Sequence, residues 1–154
     1  MDEQKSPPLF ERGTDGPKVI LAGIDGSDSS WRAAAYAAGM ARRQNALLAL
    51  VYVQPYLPGG AALGVPVSEM DTGIAAQLVA EVRASVERLR GTFQVRWEFH
   101  TFRGDPYGGL AAAADQLTAD AVVVGASERA GHRLVGSVAV RLVKAGKWPV
   151  TVVP

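Results

Sequence analysis

The chain has 154 residues, of which 48% are apolar and 20% are charged, and its net charge is +1 at neutral pH. These values fit one globular domain with a sizeable core, and they argue against a disordered chain or a general nucleic-acid binder. Cysteine is absent, which excludes disulfides and thiolate metal sites and favours a reducing compartment. Because no apolar run reaches membrane-spanning length and no leader pattern opens the chain, we expect a cytoplasmic protein.

Residues 1–17 combine several prolines and glycines with charged residues, and they predict a flexible N-terminal arm with Leu9 and Phe10 as candidate anchors. The predicted domain covers residues 18–154. It opens with a continuous apolar run, residues 19–24, that is typical of a buried central strand. Asp25-Gly26-Ser27 ends this strand, and an alanine-rich helix follows to about Arg43.

Residues 46–53 form a second apolar run and predict a second buried strand. Residues 54–70 are rich in proline and glycine, which predicts an irregular loop that acts either as a lid or as an idle surface segment. Asp71-Thr72 is then expected to cap a helix whose apolar stripe lies in the core. The stripe consists of Ile74, Leu78, Val82, Val86 and Leu89.

Residues 95–102 alternate apolar and polar side chains, which predicts an edge strand with His100 at the surface. Asp105 and Pro106 are expected to start a helix that runs to about Leu117. The β-branched residues of segment 121–125 predict a fourth, buried strand. A last helix is predicted from Ser137 to Lys144, followed by a final strand at residues 150–153.

Strands and helices therefore alternate along the whole domain, which predicts a five-stranded parallel sheet covered by helices on both faces. The order 3-2-1-4-5 places the apolar first, second and fourth strands at the centre. In this order the chain reverses direction between strands one and four, and a ligand crevice opens at their carboxyl ends. Asp25 and Gly125 both fall at this crevice.

The loop after the fourth strand contains Gly125, Gly131 and Gly136, and Ser137 opens the next helix. Such a loop offers free backbone N–H groups and the positive end of a helix dipole, which together suit a phosphate. Residues 126–154 also carry five basic residues against one acidic residue. The alternative for the glycines is that they only let the chain turn. The alternative for the basic residues is a solvated helix face.

Several other chemistries are not indicated. The chain contains neither the dinucleotide-binding glycine motif nor the phosphate-loop motif that ends in Gly-Lys-Ser/Thr. The two histidines, His100 and His132, have no nearby acidic cluster, so we expect no metal site. His132 is the candidate base for a Ser137 nucleophile, but Ser137 is more simply a helix cap or a phosphate donor.

Residues 18–154 resemble the universal stress protein family. The shared motifs, in chain order, are Val-Ile-Leu-Ala-Gly-Ile-Asp-Gly-Ser-Asp-Ser-Ser at 19–30, Val-Tyr-Val at 51–53, Gly-Asp-Pro at 104–106, Asp-Ala-Val-Val-Val-Gly at 120–125, Gly-Ser at 136–137 and Trp-Pro-Val-Thr-Val-Val at 148–153. The resemblance implies a three-layer α/β/α, Rossmann-like fold and a homodimer formed through the last strand, Val150–Val153. It also implies ATP or another adenine nucleotide as ligand, with or without Mg²⁺.

By this resemblance Asp25 would contact the ribose and the Val53 backbone would meet the adenine, while Gly125, Gly136 and Ser137 would hold ribose and phosphates. The other site residues that we predict are Gly26, Ser27, Ser127, Gly131 and Val138. Three of these residues also have a simpler interpretation: Asp25 as a cap, Val53 as a strand end and Gly125 as a turn.

The loop departs from the family pattern of ATP-binding members. Glu128 stands where a second glycine is expected, and ten residues instead of twelve separate Gly125 from Gly136. A carboxylate about 5 Å from a phosphate charge would cost roughly 3 kcal/mol at an effective dielectric near 20. Three hypotheses follow: a regulatory stress-response protein that binds an adenine nucleotide, a dimeric interaction module that has lost nucleotide binding, and a slow ATP hydrolase.

Overall fold

The computed structural model describes residues 16–56, 67–92, 94–127 and 136–154, and these form five strands and four helices in the predicted alternation. The predicted arm therefore lies outside the described residues up to residue 15, as do residues 57–66 of the predicted lid loop. In chain order the elements are β1 (Val19–Gly23), α1 (Asp28–Gln44), β2 (Leu47–Gln54), α2 (Val67–Arg88), β3 (Arg96–Arg103), α3 (Pro106–Gln116), β4 (Ala121–Gly125), α4 (Ser137–Ala145) and β5 (Val150–Val153).

The five strands form one parallel sheet in the order β3-β2-β1-β4-β5, which confirms the predicted topology. Ala22 of β1 stands in register with Leu50 of β2 and with Val123 of β4. The burial of these three strands explains why their sequences are apolar throughout, since helices cover both faces of the sheet.

Alternate residues of β1 supply the two halves of the core. Ile20 and Ala22 pack with α1 and with three residues of α2, whereas Leu21 packs on the other face with α3 and α4. On α1, Ala33, Ala37 and Ala41 recur at four-residue intervals and are fully buried, so their small side chains let the helix approach the sheet closely.

Two predicted helix starts are confirmed in detail. The Ser27 hydroxyl accepts a hydrogen bond of 3.2 Å from the Ser30 N–H at the start of α1. The Asp105 carboxylate accepts one of 3.0 Å from the Gly108 N–H at the start of α3, with Pro106 in the first helical position. Each cap satisfies a main-chain donor that the helix itself leaves unpaired.

The prediction for α2 is wrong in two respects. The helix begins at Val67, so residues 67–70 are helical and Asp71-Thr72 lies inside the helix instead of capping it. Of the predicted core stripe, Leu78 and Val82 are buried, but the remaining three residues are 41–47% exposed. These exposed members are Ile74, Val86 and Leu89.

The edge position of β3 is confirmed, and its polar residues face solvent as expected. His100 is partly exposed, and its Nε2 lies 2.9 Å from the Glu98 Oε2 on the same strand.

At the amino ends of β1 and β4, the buried Asp120 side chain accepts hydrogen bonds of 2.7 and 2.8 Å from the N–H groups of Lys18 and Val19. Asp120 thereby ties the start of β4 to the start of β1.

Candidate functional site

A cavity of about 710 Å³ opens beyond the carboxyl ends of β1 and β4, where the strand order reverses. The ends of β1, β2 and β4 and the first turns of α1, α3 and α4 surround it. Eight of the ten predicted site residues line this crevice: Asp25, Ser27, Val53, Gly125, Ser127, Gly136, Ser137 and Val138. Positions more than 100 residues apart in the chain thus meet at the predicted place.

The other two predicted residues have different outcomes. Gly26 lies in the turn beside the crevice without lining it, and its positive φ of 88° explains the glycine, because other residues rarely adopt this conformation. Gly131 lies outside the described residues, as do Glu128 and His132. The predicted effect of Glu128 and the candidate role of His132 therefore stay predictions.

Asp25 forms a tight turn with Ser27. One carboxylate oxygen, Oδ1, accepts hydrogen bonds from both the N–H and the hydroxyl of Ser27. Partial burial raises the pKa of Asp25, but the hydrogen bonds from Ser27 outweigh this and hold the pKa below its ordinary value of 3.8. The carboxylate is thus ionised at neutral pH, and it keeps acceptor positions for a further donor because an ionised carboxylate offers about four.

Two buried serines extend this network, and the sequence analysis did not single them out as site residues. The Ser29 hydroxyl lies 3.2 Å from that of Ser27, and the Ser30 hydroxyl donates to the Ser27 carbonyl over 2.9 Å. Because Ser27 gives its proton to Asp25, Ser29 is the donor in its contact with Ser27. The run of serines after Asp25 was the signal that could have identified them.

Val53 lies near the end of β2, beyond the last residue of β1. The Val51 carbonyl accepts a hydrogen bond of 2.8 Å from the Ile24 N–H, while the Gln54 carbonyl accepts one of 3.0 Å from Gly104 on the other side. Main-chain groups two residues apart in a strand point the same way. The N–H and C=O of Val53 therefore point past the end of β1, into the crevice.

Gly125 ends β4 directly against the first turn of α1. A Cβ atom at this position would lie 2.5 Å from the Ser29 carbonyl carbon and 2.6 Å from its oxygen. The glycine is therefore needed for close packing of strand on helix. This contact explains Gly125 more directly than the predicted need for a turn.

The start of α4 differs from those of α1 and α3. Its N-cap is Gly136, which makes no side-chain cap hydrogen bond, so Ser137 is the first helical residue and its predicted role as the cap is wrong. The first helical hydrogen bond runs from the Val140 N–H to the Gly136 carbonyl over 3.1 Å. The N–H groups of residues 137–139 have no partner within the helix, and these residues line the crevice.

A charged cluster joins α3 to α4 beside the crevice. The Arg141 Nη1 lies 3.3 Å from the Asp105 Oδ2, and the Arg141 guanidinium stands 4.1 Å above the Tyr107 ring. The Gly108 N–H hydrogen bond, aided by the charge of Arg141, holds the pKa of Asp105 below its ordinary value. Arg141 lies one helical turn beyond Ser137, so it adds positive charge near the uncapped start of α4.

Neither a group of metal ligands nor a membrane-spanning helix is found in the described ranges. Within them, no group of three or more histidine, aspartate or glutamate side chains is placed to hold a metal ion. None of the helices in the same ranges combines the length and the apolar character needed to cross a membrane.

Comparison with known proteins gives consistent matches over nearly the whole chain. The model of the universal stress protein family matches residues 17–154. Universal stress protein MJ0531 of Methanocaldococcus jannaschii is 27% identical over 150 residues, which cover 94% of this chain and 86% of that protein.

Two solved structures are also similar to this chain. Universal stress protein UspA from Lactobacillus plantarum has a TM-score of 0.74 and 25% identity, covering 89% of this chain and 97% of its own. A universal stress protein in complex with cAMP has a TM-score of 0.62 and 27% identity, covering 90% and 97%.

Proposed function

Because the chain belongs to the universal stress protein family, we propose that it binds an adenine nucleotide, ATP or an AMP-like molecule, as a regulatory ligand in stress response. The observation that carries this proposal is the uncapped start of α4, which faces the same crevice as the ionised Asp25. A volume of about 710 Å³ falls within the range of pockets that hold small molecules. The relative solved with cAMP supports the same class of ligand.

Different residues of the crevice would bind different parts of the nucleotide, according to their chemistry. The N–H groups of Ser137 and Val138, which have no partner within α4, together with the positive end of the α4 dipole, suit the phosphates, with or without Mg²⁺. The Asp25 carboxylate suits the ribose hydroxyls, which are donors. The main chain of Val53 suits the hydrogen-bonding edge of the adenine.

Thermal unfolding with and without Mg-ATP, AMP and cyclic AMP tests this proposal. A ligand at 100 times its dissociation constant stabilises the folded state by about 2.7 kcal/mol, which raises the Tm of a domain of this size by several degrees. We expect such a shift with at least one nucleotide, and a smaller shift for the variant Asp25→Asn. The matched control Asp28→Asn removes a neighbouring carboxylate that does not line the crevice, and it should keep the full shift.

The alternative function is a dimeric interaction module that has lost nucleotide binding. Glu128 and the ten-residue spacing between Gly125 and Gly136 favour it, because they depart from the family's ATP-binding pattern. It predicts no shift with any nucleotide at millimolar concentration and a protein that is purified empty. Nucleotide found by mass spectrometry in a denatured extract of the pure protein would rule this alternative out.

We also propose that the protein is a cytoplasmic homodimer that pairs through β5. The Val122 N–H bonds to the Pro149 carbonyl and the Ala126 N–H to the Val153 carbonyl, so the main-chain groups of Val152 point away from β4. Among the described residues no further strand pairs with this side of β5, and such an edge is a template for pairing with a second strand. On the adjacent α4, Val140 and Val143 are 37% and 57% exposed, which adds apolar surface beside this edge.

A further inference from the structure

The apolar residues on one face of α2 become more exposed along the helix. Leu78 and Val82 are 4% and 6% exposed and belong to the core, whereas Val86 and Leu89 are 41% and 45% exposed. The four residues follow one another at intervals of three or four, so they share one helical face. Leu78 lies at the crevice end of the sheet, because a Cβ atom at Gly26 would be 3.6 Å from its Cδ2. The opposite end of α2, near the amino ends of the strands, therefore stands away from the sheet.

A second cavity, of about 970 Å³, lies beside this end of α2 and extends along α1. Leu48 of β2 and Trp97 of β3 line its base, and they are neighbours in register, each the second residue of its strand. Both side chains belong to the face of the sheet that packs on α1. Ala41 of α1 lines one wall, and Val86 and Leu89 of α2 line the other. We call this part of the cavity, bounded by these five residues, the α2 groove.

Arginines surround the outer end of the α2 groove, where α1 and α2 terminate. The charged residues that line the cavity are Arg42, Arg88, Arg90, Arg96, Glu81 and Glu87. The Arg90 Nη1 is paired with the Glu87 Oε1 over 3.2 Å. The Arg88 Nη2 donates to the Ser85 hydroxyl over 2.9 Å, and the Arg96 Nη2 donates to the Asn45 carbonyl over 3.0 Å. Because these two acceptors are uncharged, the contacts leave the positive charge of both guanidinium groups in place.

The α2 groove thus joins an apolar body to a positively charged end, and this combination defines its ligand. An acyl chain suits the apolar part, since it has no polar groups that would need partners there, whereas a peptide brings main-chain N–H and C=O groups. A carboxylate suits the charged end, because the planar guanidinium fork of arginine matches its two oxygens. The volume of the cavity falls within the range of pockets that hold small molecules.

We propose that the α2 groove binds a long-chain fatty acid. Its acyl chain would lie along Leu48, Val86 and Leu89, and its carboxylate would bind the guanidinium groups of Arg88 and Arg96. The site does not depend on the proposed nucleotide function, because the crevice lies at the start of α1 and the α2 groove at its end.

Tryptophan fluorescence tests this placement with 2-bromohexadecanoate, whose bromine quenches a tryptophan that it touches. The chain has no cysteine that this acid could alkylate. The variant Trp31→Phe/Trp148→Phe keeps Trp97 in the groove, and we expect saturable quenching below the concentration at which micelles form. The control Trp31→Phe/Trp97→Phe keeps Trp148, which is buried on the opposite face of the sheet and should not be quenched. Equal quenching of the two variants, or no saturable quenching of the first, would overturn the proposal.

The charge of the ligand gives a second test. The methyl ester of the same acid lacks the carboxylate charge and should bind about tenfold more weakly. Arg88→Gln and Arg96→Gln should each weaken binding of the acid by about tenfold while leaving that of the ester unchanged. The matched control is Arg83→Gln, which removes an exposed arginine of α2 outside the groove lining and should change neither. Equal affinities of the acid and the ester would contradict the binding of a carboxylate at the arginines.

The apolar part of the α2 groove is tested by Leu89→Ser, which should weaken the acid and the ester alike, by about tenfold. The control Ile74→Ser replaces an equally exposed residue of the same helix outside the groove lining and should keep both affinities. Circular dichroism should show that both variants are folded. Two other occupants are distinguished by sedimentation. Conversion of a dimer to a monomer by Leu89→Ser would assign the groove to a second copy of the chain. Binding of the acid only in the presence of phospholipid vesicles would assign it to a membrane surface, and either result would overturn the proposal.

Discussion

At the scale of single residues, the close packing of β4 on α1 explains Gly125 at the crevice. The sequence indicated a phosphate loop that begins at Gly125, but the structure shows this residue against the Ser29 backbone. Pattern reasoning could not find this contact, because it joins residues 96 positions apart that meet only after the sheet forms. Asp25 was easier to predict, since the Asp-Gly-Ser turn and the following helix are local features.

Gly125→Ala is expected to destabilise the fold. The added Cβ would lie 2.5 Å from main-chain atoms of Ser29, so β4 and α1 must separate. Overpacking of this kind costs about 1–3 kcal/mol in the free energy of unfolding, measurable by chemical denaturation. The control is Gly73→Ala on α2, where a Cβ meets nothing within 4 Å and should stabilise the helix by roughly 0.5–1 kcal/mol. Equal effects would contradict the packing role of Gly125.

Asp25 is expected to make the stability of the fold depend on pH in the acid range. Its pKa is lowered in the folded state, so its contribution is fully present above the unfolded value of 3.8 and is lost as the pH falls through the folded value. The free energy of unfolding should therefore decrease more on acidification for the unmodified protein than for Asp25→Asn. Parallel pH profiles for the two proteins would show that the hydrogen bonds from Ser27 do not stabilise the ionised form.

At the scale of elements, prediction succeeded where one local pattern fixed the structure. The apolar runs located β1, β2 and β4, and Asp105-Pro106 located the start of α3. Prediction failed for the start of α2 at Val67, because the prolines and glycines of residues 54–70 indicated an irregular loop. The periodicity of α2 identified an apolar face correctly, but periodicity does not say how closely a helix approaches the sheet.

The β5 edge gives the test of the proposed dimer. Val152→Pro removes a main-chain N–H that points away from β4, so it should block pairing across the dimer while keeping the β4–β5 hydrogen bonds. Sedimentation should show a monomer for this variant and a dimer for the control Val152→Thr, with circular dichroism confirming that both are folded. A folded dimer of Val152→Pro would show that the subunits pair elsewhere.

At the scale of the whole molecule, the strand order followed from which strands are apolar throughout. Central strands must be covered on both faces, and this requirement, with right-handed crossovers, favoured 3-2-1-4-5 before any contact was known. The position of the crevice followed from that order. The full set of residues that line the crevice did not, because Pro106 and Leu110 reach it only through the packing of α3 on the sheet.

The most direct test of the nucleotide proposal is an NMR titration that follows each main-chain amide as Mg-ATP, and separately AMP, is added. We expect saturable shifts that are largest at Ser137, Val138 and Ala139 and that extend to Val53, because these groups face the crevice. Gly73, which is exposed on α2 and lies outside the crevice lining, should stay unchanged. Shifts confined to residues outside the crevice lining, or none with either nucleotide at millimolar concentration, would contradict the proposal.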